Sequence, residues 1–367
     1  MSVRCTSLGQ FIKEAQNQGC IDEELAALIE SVAHACTSIA TVVAQGTLAT
    51  TDGVATEINV QGEAQKPIDV LTNAIMLETC ERSGALRGMV SEEMAEPYSL
   101  PPGSPRGRHL LVFDPLDGSS NVELNMPFGT IFSVLRAPED AGELLPAHFL
   151  QRGRQQLAAG FALYGAATML VLTLGAGVHG FTLDRTTGTF LLTHPDLRIA
   201  ETTCEFAVNA SNERFWEPPV RRYVEECIEG RAGPRRIDFN MRWIAAMVAE
   251  VHRILLRGGL FMYPRDRKVP ARPGRLRLLY EASPMAMLVE QAGGAASTGR
   301  EPILDIVPEV IHQRVPVILG SREEVERLVR YHEIFDRGEA LVFRTPLFNT
   351  RTLFQADANE AEGLPCR

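Results

Sequence analysis

Two carboxylates three residues apart, Asp114 and Asp117, lie in the run Phe113-Asp114-Pro115-Leu116-Asp117-Gly118-Ser119-Ser120-Asn121. A short buried strand over Leu110–Phe113 is expected to lead into the first acid, Pro115 forces a turn, and Gly118 lets the backbone fold closely. Ser-Ser-Asn is a good helix start. Read this way, the segment sets two hard oxygen ligands at a strand end, beside the free N–H groups of a helix N-terminus. Carboxylates and a backbone carbonyl suit Mg2+, and helix N–H groups suit a phosphate. A cation bridging the two is the usual logic of phosphate-ester hydrolysis. A plain turn followed by a capped helix would use the same residues, so the run does not decide alone. Ser91-Glu92-Glu93, after the apolar pair Met89-Val90, adds two acids at a second expected strand end, although adjacent glutamates also suit a solvated surface. Glu281 follows an expected strand over Leu276–Tyr280. Ligands collected from separate strand ends are typical of α/β sites.

An anion held near these acids needs local positive charge, because the formal net charge of the chain is −10. Arg265, Arg267, Lys268, Arg272, Arg275 and Arg277 crowd together just after Tyr263. Arg275, leading toward Glu281, reads as a phosphate ligand, whereas Arg265 and Arg272 read as a solvated basic loop. Arg242 falls one residue off the apolar face of an expected helix and by itself reads as a surface arginine. The histidines show no HxxH or HxH spacing, and His252 and His312, among apolar neighbours, read as structural. The acidic balance argues against nucleic acid as a partner.

The elements that must position these groups are legible in outline. With 367 residues, 45% hydrophobic and 22% charged, the chain can bury a large core in one or two domains. Its seven cysteines include no CxxC pair and read as reduced thiols, and the start MSVRCTSLGQFIKEAQ lacks the apolar core of a signal peptide. Both observations point to the cytoplasm. The stretch Leu157–Leu183 contains no Asp, Glu, Lys or Arg and could be mistaken for a membrane span. Glycines at 160, 165, 175, 177 and 180 break it into strand-sized pieces, Met169–Leu174 and Val178–Leu183 among them, with TFLLT as a further strand. Helices are expected over 22–45, capped by Asp22 and ended by Gly46, and over 68–81, 241–256 and 322–332. Residues 99–108 form a loop. A boundary near residue 200 divides the chain into units of 1–199 and 200–336, with an extension, 337–367, whose role the pattern does not reveal.

Taken in order, NVQGEAQKPIDVLTN (59–73), SEE (91–93), FDPLDGSSN (113–121), GTIFSV (129–134), ALYGAATMLV (162–171), MVAEVHRIL (247–255), YP (263–264), RLRLLYEASPMAMLVEQAGG (275–294) and IHQRVPVILGS (311–321) resemble the class I fructose-1,6-bisphosphatases. DPLDG alone would indicate only the wider lithium-sensitive phosphatase superfamily; LRLLYE followed by EQAGG and HQRVPVILGS narrows it. The resemblance implies a layered α/β/α/β/α fold with an N-terminal regulatory half and a C-terminal substrate half. It implies hydrolysis of fructose 1,6-bisphosphate to fructose 6-phosphate, with two or three Mg2+ per subunit and Mn2+ able to substitute. It places metal ligands at Glu92, Glu93, Asp114, Asp117 and Glu281, with the Leu116 carbonyl assisting, and the groups that deprotonate the attacking water at Asp69 and Glu93. The departing phosphate falls to Asp117, Gly118, Ser119 and Ser120, the retained phosphate to Asn209, Arg242, Trp243, Tyr263 and Arg275, and the sugar to Met247. Arg242 is implied to reach a neighbouring subunit's site, hence a homotetramer.

Some positions depart from the family pattern. Trp243 stands where tyrosine is usual, Arg275 where lysine is common, and Glu63 where many relatives have Asp. AMP-inhibited members usually carry Thr-Gly-Glu before the first long helix, where this chain has Asp22-Glu23-Glu24, and His109 replaces a tyrosine that contacts the nucleotide. Weak or absent AMP inhibition is therefore expected. Two other readings stay open: a sedoheptulose 1,7-bisphosphatase or dual-specificity enzyme, and a non-catalytic sugar-phosphate sensor, against which the intact acid set argues.

Overall fold

The run of apolar residues at three- and four-residue spacing folds as the long helix it predicts. In the computed structural model α2 spans Glu23–Val43, and the Asp22 side chain accepts from the Leu25 N–H at 2.8 Å, a cap worth about 1 kcal/mol. Residues 6–46, 57–58, 64–139, 143–270 and 272–339 are described; Glu63 and the extension beyond residue 339 lie outside them. Leu25, Leu28, Ile29, Val32, Cys36 and Ile39 are all buried. With α1 (Leu8–Asn17) and α3 (Pro67–Glu81), α2 covers one face of an eight-stranded sheet. A two-residue pair, β1 (Glu57–Ile58) and β2 (Ala64–Gln65), precedes α3.

The large sheet contains β3 (Leu86–Ser91), β4 (Tyr98–Ser99), β5 (His109–Asp117), β6 (Phe128–Arg136), β7 (Ala158–Tyr164), β8 (Thr168–Thr173), β9 (His179–Asp184) and β10 (Thr189–His194). Its order is β10-β9-β8-β7-β6-β5-β3-β4, antiparallel except for the β3–β5 pair. Phe132 and Val134 of β6 face the α1–α3 layer, while Ile131 faces the other way, onto α5 (Met247–Arg257) and α6 (Ser283–Gln291). A strand buried on both faces is apolar throughout instead of alternating.

A second sheet lies beyond α5 and α6. Its order is β12-β11-β13-β17-β15, from β11 (Glu205–Val208), β12 (Asn240–Met241), β13 (Leu260–Tyr263), β15 (Ala295–Ser297) and β17 (Val317–Gly320). The short pair β14 (Leu276–Arg277) and β16 (Arg314–Val315) stands apart. Phe206, Val208, Leu260 and Met262 pack against α4 (Pro218–Glu229) and α7 (Arg322–Asp336). The layers therefore run α/β/α/β/α. The stretch 157–183 supplies three buried strands of the first sheet. Among the described residues α2 alone is long and apolar enough to cross a membrane, and half of that stretch is buried inside the fold.

Several expectations are corrected. The helix expected over 241–256 begins only at Met247; Met241 is an exposed edge-strand residue and Arg242 sits on the connecting segment. Ala245 at φ 63 interrupts the helical path, and the Ile244 N–H is taken by Glu250 Oε1 at 2.7 Å. Leu276–Tyr280 is a strand for two residues only; a π-helical turn, Leu278–Ala282, carries Glu281 into α6. Ser119–Asn121 is a single 3-10 turn, not a helix start, because Asn121 turns its amide back to the carbonyls of Pro127 and Ile244. Cys20, Cys36, Cys80 and Cys227 are thiols, but Cys204 is disulfide-bonded, so the reading of thiols throughout does not hold.

Candidate active site

Residues three apart on an unbroken strand point to opposite faces. Asp114 and Asp117 escape this because β5 is irregular between them: Asp114 pairs with Ile131 and Asp117 with Gly129, so two residues of β5, Pro115 and Leu116, stand against one of β6, Thr130. Such a bulge re-aims side chains. Asp114, Asp117 and Glu281 each offer a carboxylate oxygen, and these atoms lie within 4.8 Å of one another, all buried. Backbone donors hold each acid. Asp114 Oδ1 accepts from the Leu116 N–H at 2.9 Å, Asp117 Oδ2 from the Val248 N–H at 2.8 Å, and Glu281 from the Arg277 N–H. Glu92 joins from the end of β3, its N–H donating to the Phe113 carbonyl at 3.1 Å.

Like charges at that separation repel by about 3.5 kcal/mol at an effective dielectric near 20. Burial, with the neighbouring acids, pushes Asp117 and Glu281 up to about 7 and Glu92 to about 8, and raises Asp114 well above the carboxylate range. The Arg277 guanidinium, paired with Glu92 and 3.6 Å from Glu281, offsets part of the charge. Oxygen donors this crowded, drawn from β5, the π-turn and β3, fit a hard divalent cation, which would relieve the repulsion that protons otherwise relieve.

Beside this cluster stands Asp69 in the first turn of α3. Its Oδ2 accepts from the Lys66 N–H at 3.0 Å, while Oδ1 is buried with no well-formed hydrogen bond among the described residues, Ser119 being its neighbour. Burial raises it to about 6, with the Glu93 charge contributing and Ser119 opposing. A base near neutrality is what proton abstraction from water needs. Gly118 has φ 78, and a Cβ there would stand 2.6 Å from that of Ala246, so glycine is required for the 3-10 turn to pack on the start of α5. Ser119 is half-buried and Ser120 exposed on that turn.

A cavity of about 230 Å³ adjoins Arg277 and is lined by Tyr263, Asp266, Arg272, Arg275 and Arg314, among others. Arg275 lies with its guanidinium 5.8 Å from the Tyr263 ring centre and 3.4 Å from Asp266. Trp243 stacks on Phe261 and meets Tyr263 edge-on, with centroids 6.0 Å apart. Asn209 caps a 3-10 turn, its Oδ1 accepting from the N–H and hydroxyl of Ser211. Met247 is buried at the start of α5. Of the residues expected to hold the retained phosphate and the sugar, Tyr263 and Arg275 line the cavity, whereas Asn209, Trp243, Met247 and Arg242 do not; Arg242 is half-exposed, 3.7 Å from Glu205. Arg272, read from sequence as a solvated loop residue, does line it. Arg277, one of the basic run, stands among the acids, where the sequence pattern alone does not place it. Asp266 and Arg314 were missed; the only available signal for Arg314 was its place in HQRVPVILGS, since its pairing with Arg277 across β14–β16 is tertiary.

A buried carboxylate centre opening beside an arginine-lined cavity, on five alternating layers, defines a phosphatase of the layered sugar-phosphatase fold. Residues 6–195 match the N-terminal domain of fructose-1-6-bisphosphatase and residues 199–333 its C-terminal domain. The chain belongs to the class 1 fructose-1,6-bisphosphatase family, whose members depend on divalent metal. It is 61% identical over 355 residues to the fructose-1,6-bisphosphatase class 1 of Methylacidiphilum infernorum, covering 97% of this chain and 99% of that one. The enzyme of the same name from Hydrogenophilus thermoluteolus is 58% identical over 330 residues, 90% of this chain and 91% of that one. Fructose-1,6-bisphosphatase from Leishmania major, in its holo form, superposes with a TM-score of 0.83 at 36% identity, over 90% of this chain and 99% of its own.

Proposed function

We propose that this chain hydrolyses fructose 1,6-bisphosphate to fructose 6-phosphate and phosphate. The observation that carries this reading is 61% identity to a class 1 fructose-1,6-bisphosphatase across nearly the whole of both chains. The carboxylate cluster and the adjoining cationic cavity support it. Asp114, Asp117, Glu281, Glu92 and Glu93, with the Leu116 carbonyl, would hold Mg2+, two or three ions per subunit. The bound ions would neutralise phosphoryl oxygens and lower the pKa of water. Asp69, with Glu93, takes the proton of the attacking water. Asp117, Gly118, Ser119 and Ser120 cradle the departing phosphate. The arginine-lined cavity would hold the other phosphate through Arg275 and Tyr263, with Asn209 and Trp243, which packs on Tyr263, as further N–H donors from outside its lining, and Met247 would touch the sugar.

The proposed arrangement extends to the assembly: a cytoplasmic homotetramer in which Arg242 serves a neighbour's cavity, built from a regulatory unit over 1–199 and a substrate unit over 200–336. Its exposure on the segment before α5 is compatible with reaching outward. Phosphate release from purified protein, with fructose 1,6- and sedoheptulose 1,7-bisphosphate and with or without Mg2+, tests the function. Mg2+-dependent release from the six-carbon substrate is expected. Binding without release would make the protein a sensor, and release from the seven-carbon substrate alone would reassign it.

A further inference from the structure

The closeness of Asp114 and Asp117 depends on the bulge in β5, and one side chain of the neighbouring strand is built against that bulge. Thr130, on β6 between the register partners Ile131 and Gly129, donates its hydroxyl to the Pro115 carbonyl at 2.9 Å. The same oxygen lies 2.8 Å from the Tyr164 hydroxyl, near which the Cys36 thiol is buried. The donors can be ordered. A carbonyl only accepts, so the single Thr130 proton goes to Pro115, and Tyr164 must then donate to Thr130. Thr130 and Cys36 are fully buried and Tyr164 nearly so. Packing alone would be met by valine, which has the same β-branched shape, as Ile131 and Val134 on the same strand illustrate. A hydroxyl in such a place is costly unless it is bonded, and here it is bonded to the peptide unit between two acids.

We propose that Thr130, oriented by Tyr164, is a positioning residue for the cation site: its hydroxyl holds the Pro115 carbonyl and thereby sets the separation of the Asp114 and Asp117 carboxylates. This rests on reading those acids as cation ligands. Groups that orient ligands from behind typically change metal affinity by 10- to 100-fold when removed.

The test is Mn2+ binding to the metal-free protein, followed by electron paramagnetic resonance of the free ion, with the melting temperature measured alongside. Thr130→Val, which keeps shape and removes the hydroxyl, should weaken Mn2+ binding about tenfold. Thr130→Ser, which keeps the hydroxyl, should remain near wild type. Tyr164→Phe, which leaves the Thr130–Pro115 bond but frees its orientation, should fall between, and it keeps the question answerable if Thr130→Val folds poorly. Wild-type Mn2+ affinity in both Thr130→Val and Tyr164→Phe, with Asp114→Asn defective, would overturn the positioning role and leave the cation site standing. Equal weakening in Thr130→Ser and Thr130→Val would also overturn it, assigning the effect to volume. Wild-type binding by Asp114→Asn would overturn the cation-site reading itself.

Discussion

Asp114, Asp117, Glu281 and Glu92 hold their protons far above the ordinary carboxylate range while no cation is bound, and stability should register this. At these four acids the unfolded chain binds fewer protons than the folded one between about pH 4 and pH 8, which lowers stability as pH rises. The histidines pushed down by burial, His109, His179, His252, His312 and His332, act in the opposite sense up to about pH 6.5, so the acids set the slope above it. Metal-free protein should melt progressively lower from pH 7 to pH 8, and Mg2+ should raise the melting temperature more at pH 8 than at pH 5. Thermal unfolding in EDTA and in excess Mg2+ checks both; a metal-free melting temperature that rises over this range would contradict the burial of the cluster. Asp114→Asn and Glu281→Gln should each lower turnover by at least about 100-fold, since each removes a charge from the cation's shell. Full turnover in either, or in EDTA, would exclude a metal mechanism. Arg275→Ala should chiefly raise KM, because the phosphate it faces is held and not cleaved. A fall in kcat at unchanged KM would place Arg275 at the reacting phosphate instead.

Among the elements, the start of α2 departs most from the family pattern. Asp22 spends its side chain on the Leu25 N–H, and Glu24 accepts from both the backbone N–H and Nε of Arg108. Arg136 lies 3.4 Å from Asp22, and His109 is buried against both acids. The Leu25 N–H and the side chains of Arg108 and Arg136 beside the helix start are thus engaged with this chain's own carboxylates. AMP should inhibit weakly or not at all, which titration of AMP against activity at saturating Mg2+ measures; half-inhibition at micromolar AMP would contradict it. The start of α5 teaches a different lesson. Met241, Ile244, Val248 and Val251 have helical spacing, yet Asn121 and Glu250 capture the backbone at Ile244 and delay the helix to Met247. Local periodicity lost there to two buried side-chain contacts, one of them from a distant loop.

For the whole molecule, the acids converge because the first sheet and the π-turn of the second half meet around Arg277. Asp69, Glu92, Asp114 and Asp117 come from the first half of the chain, and Glu281 from the second. If Arg242 acts across a subunit boundary, mixing Arg242→Ala subunits with Asp114→Asn subunits should restore part of the activity, because some sites then combine an intact cluster with an intact arginine. Hybrid oligomers separated by charge and assayed for phosphate release test this; inactivity of verified hybrids would rule out a shared site.

The sequence by itself determined which residues could carry the chemistry and most of the elements that hold them. Paired acids, glycine turns and apolar periodicity are local properties, and so α2, α3, the strands between 157 and 194, and the acids at 92, 114, 117 and 281 were all legible. The tertiary structure decided how those groups meet. The three-residue spacing of Asp114 and Asp117 is productive only because β5 bulges against β6, and Glu281 reaches them from a π-turn where a strand was expected. Arg277 lies among the acids and not at the surface, and Arg314 lines the cavity beside it, because β14 pairs with β16 across 37 residues of chain. Register, bulges and long-range pairing depend on which strands lie side by side, and the physical reason they stay hidden is that no local pattern encodes a neighbour that distant.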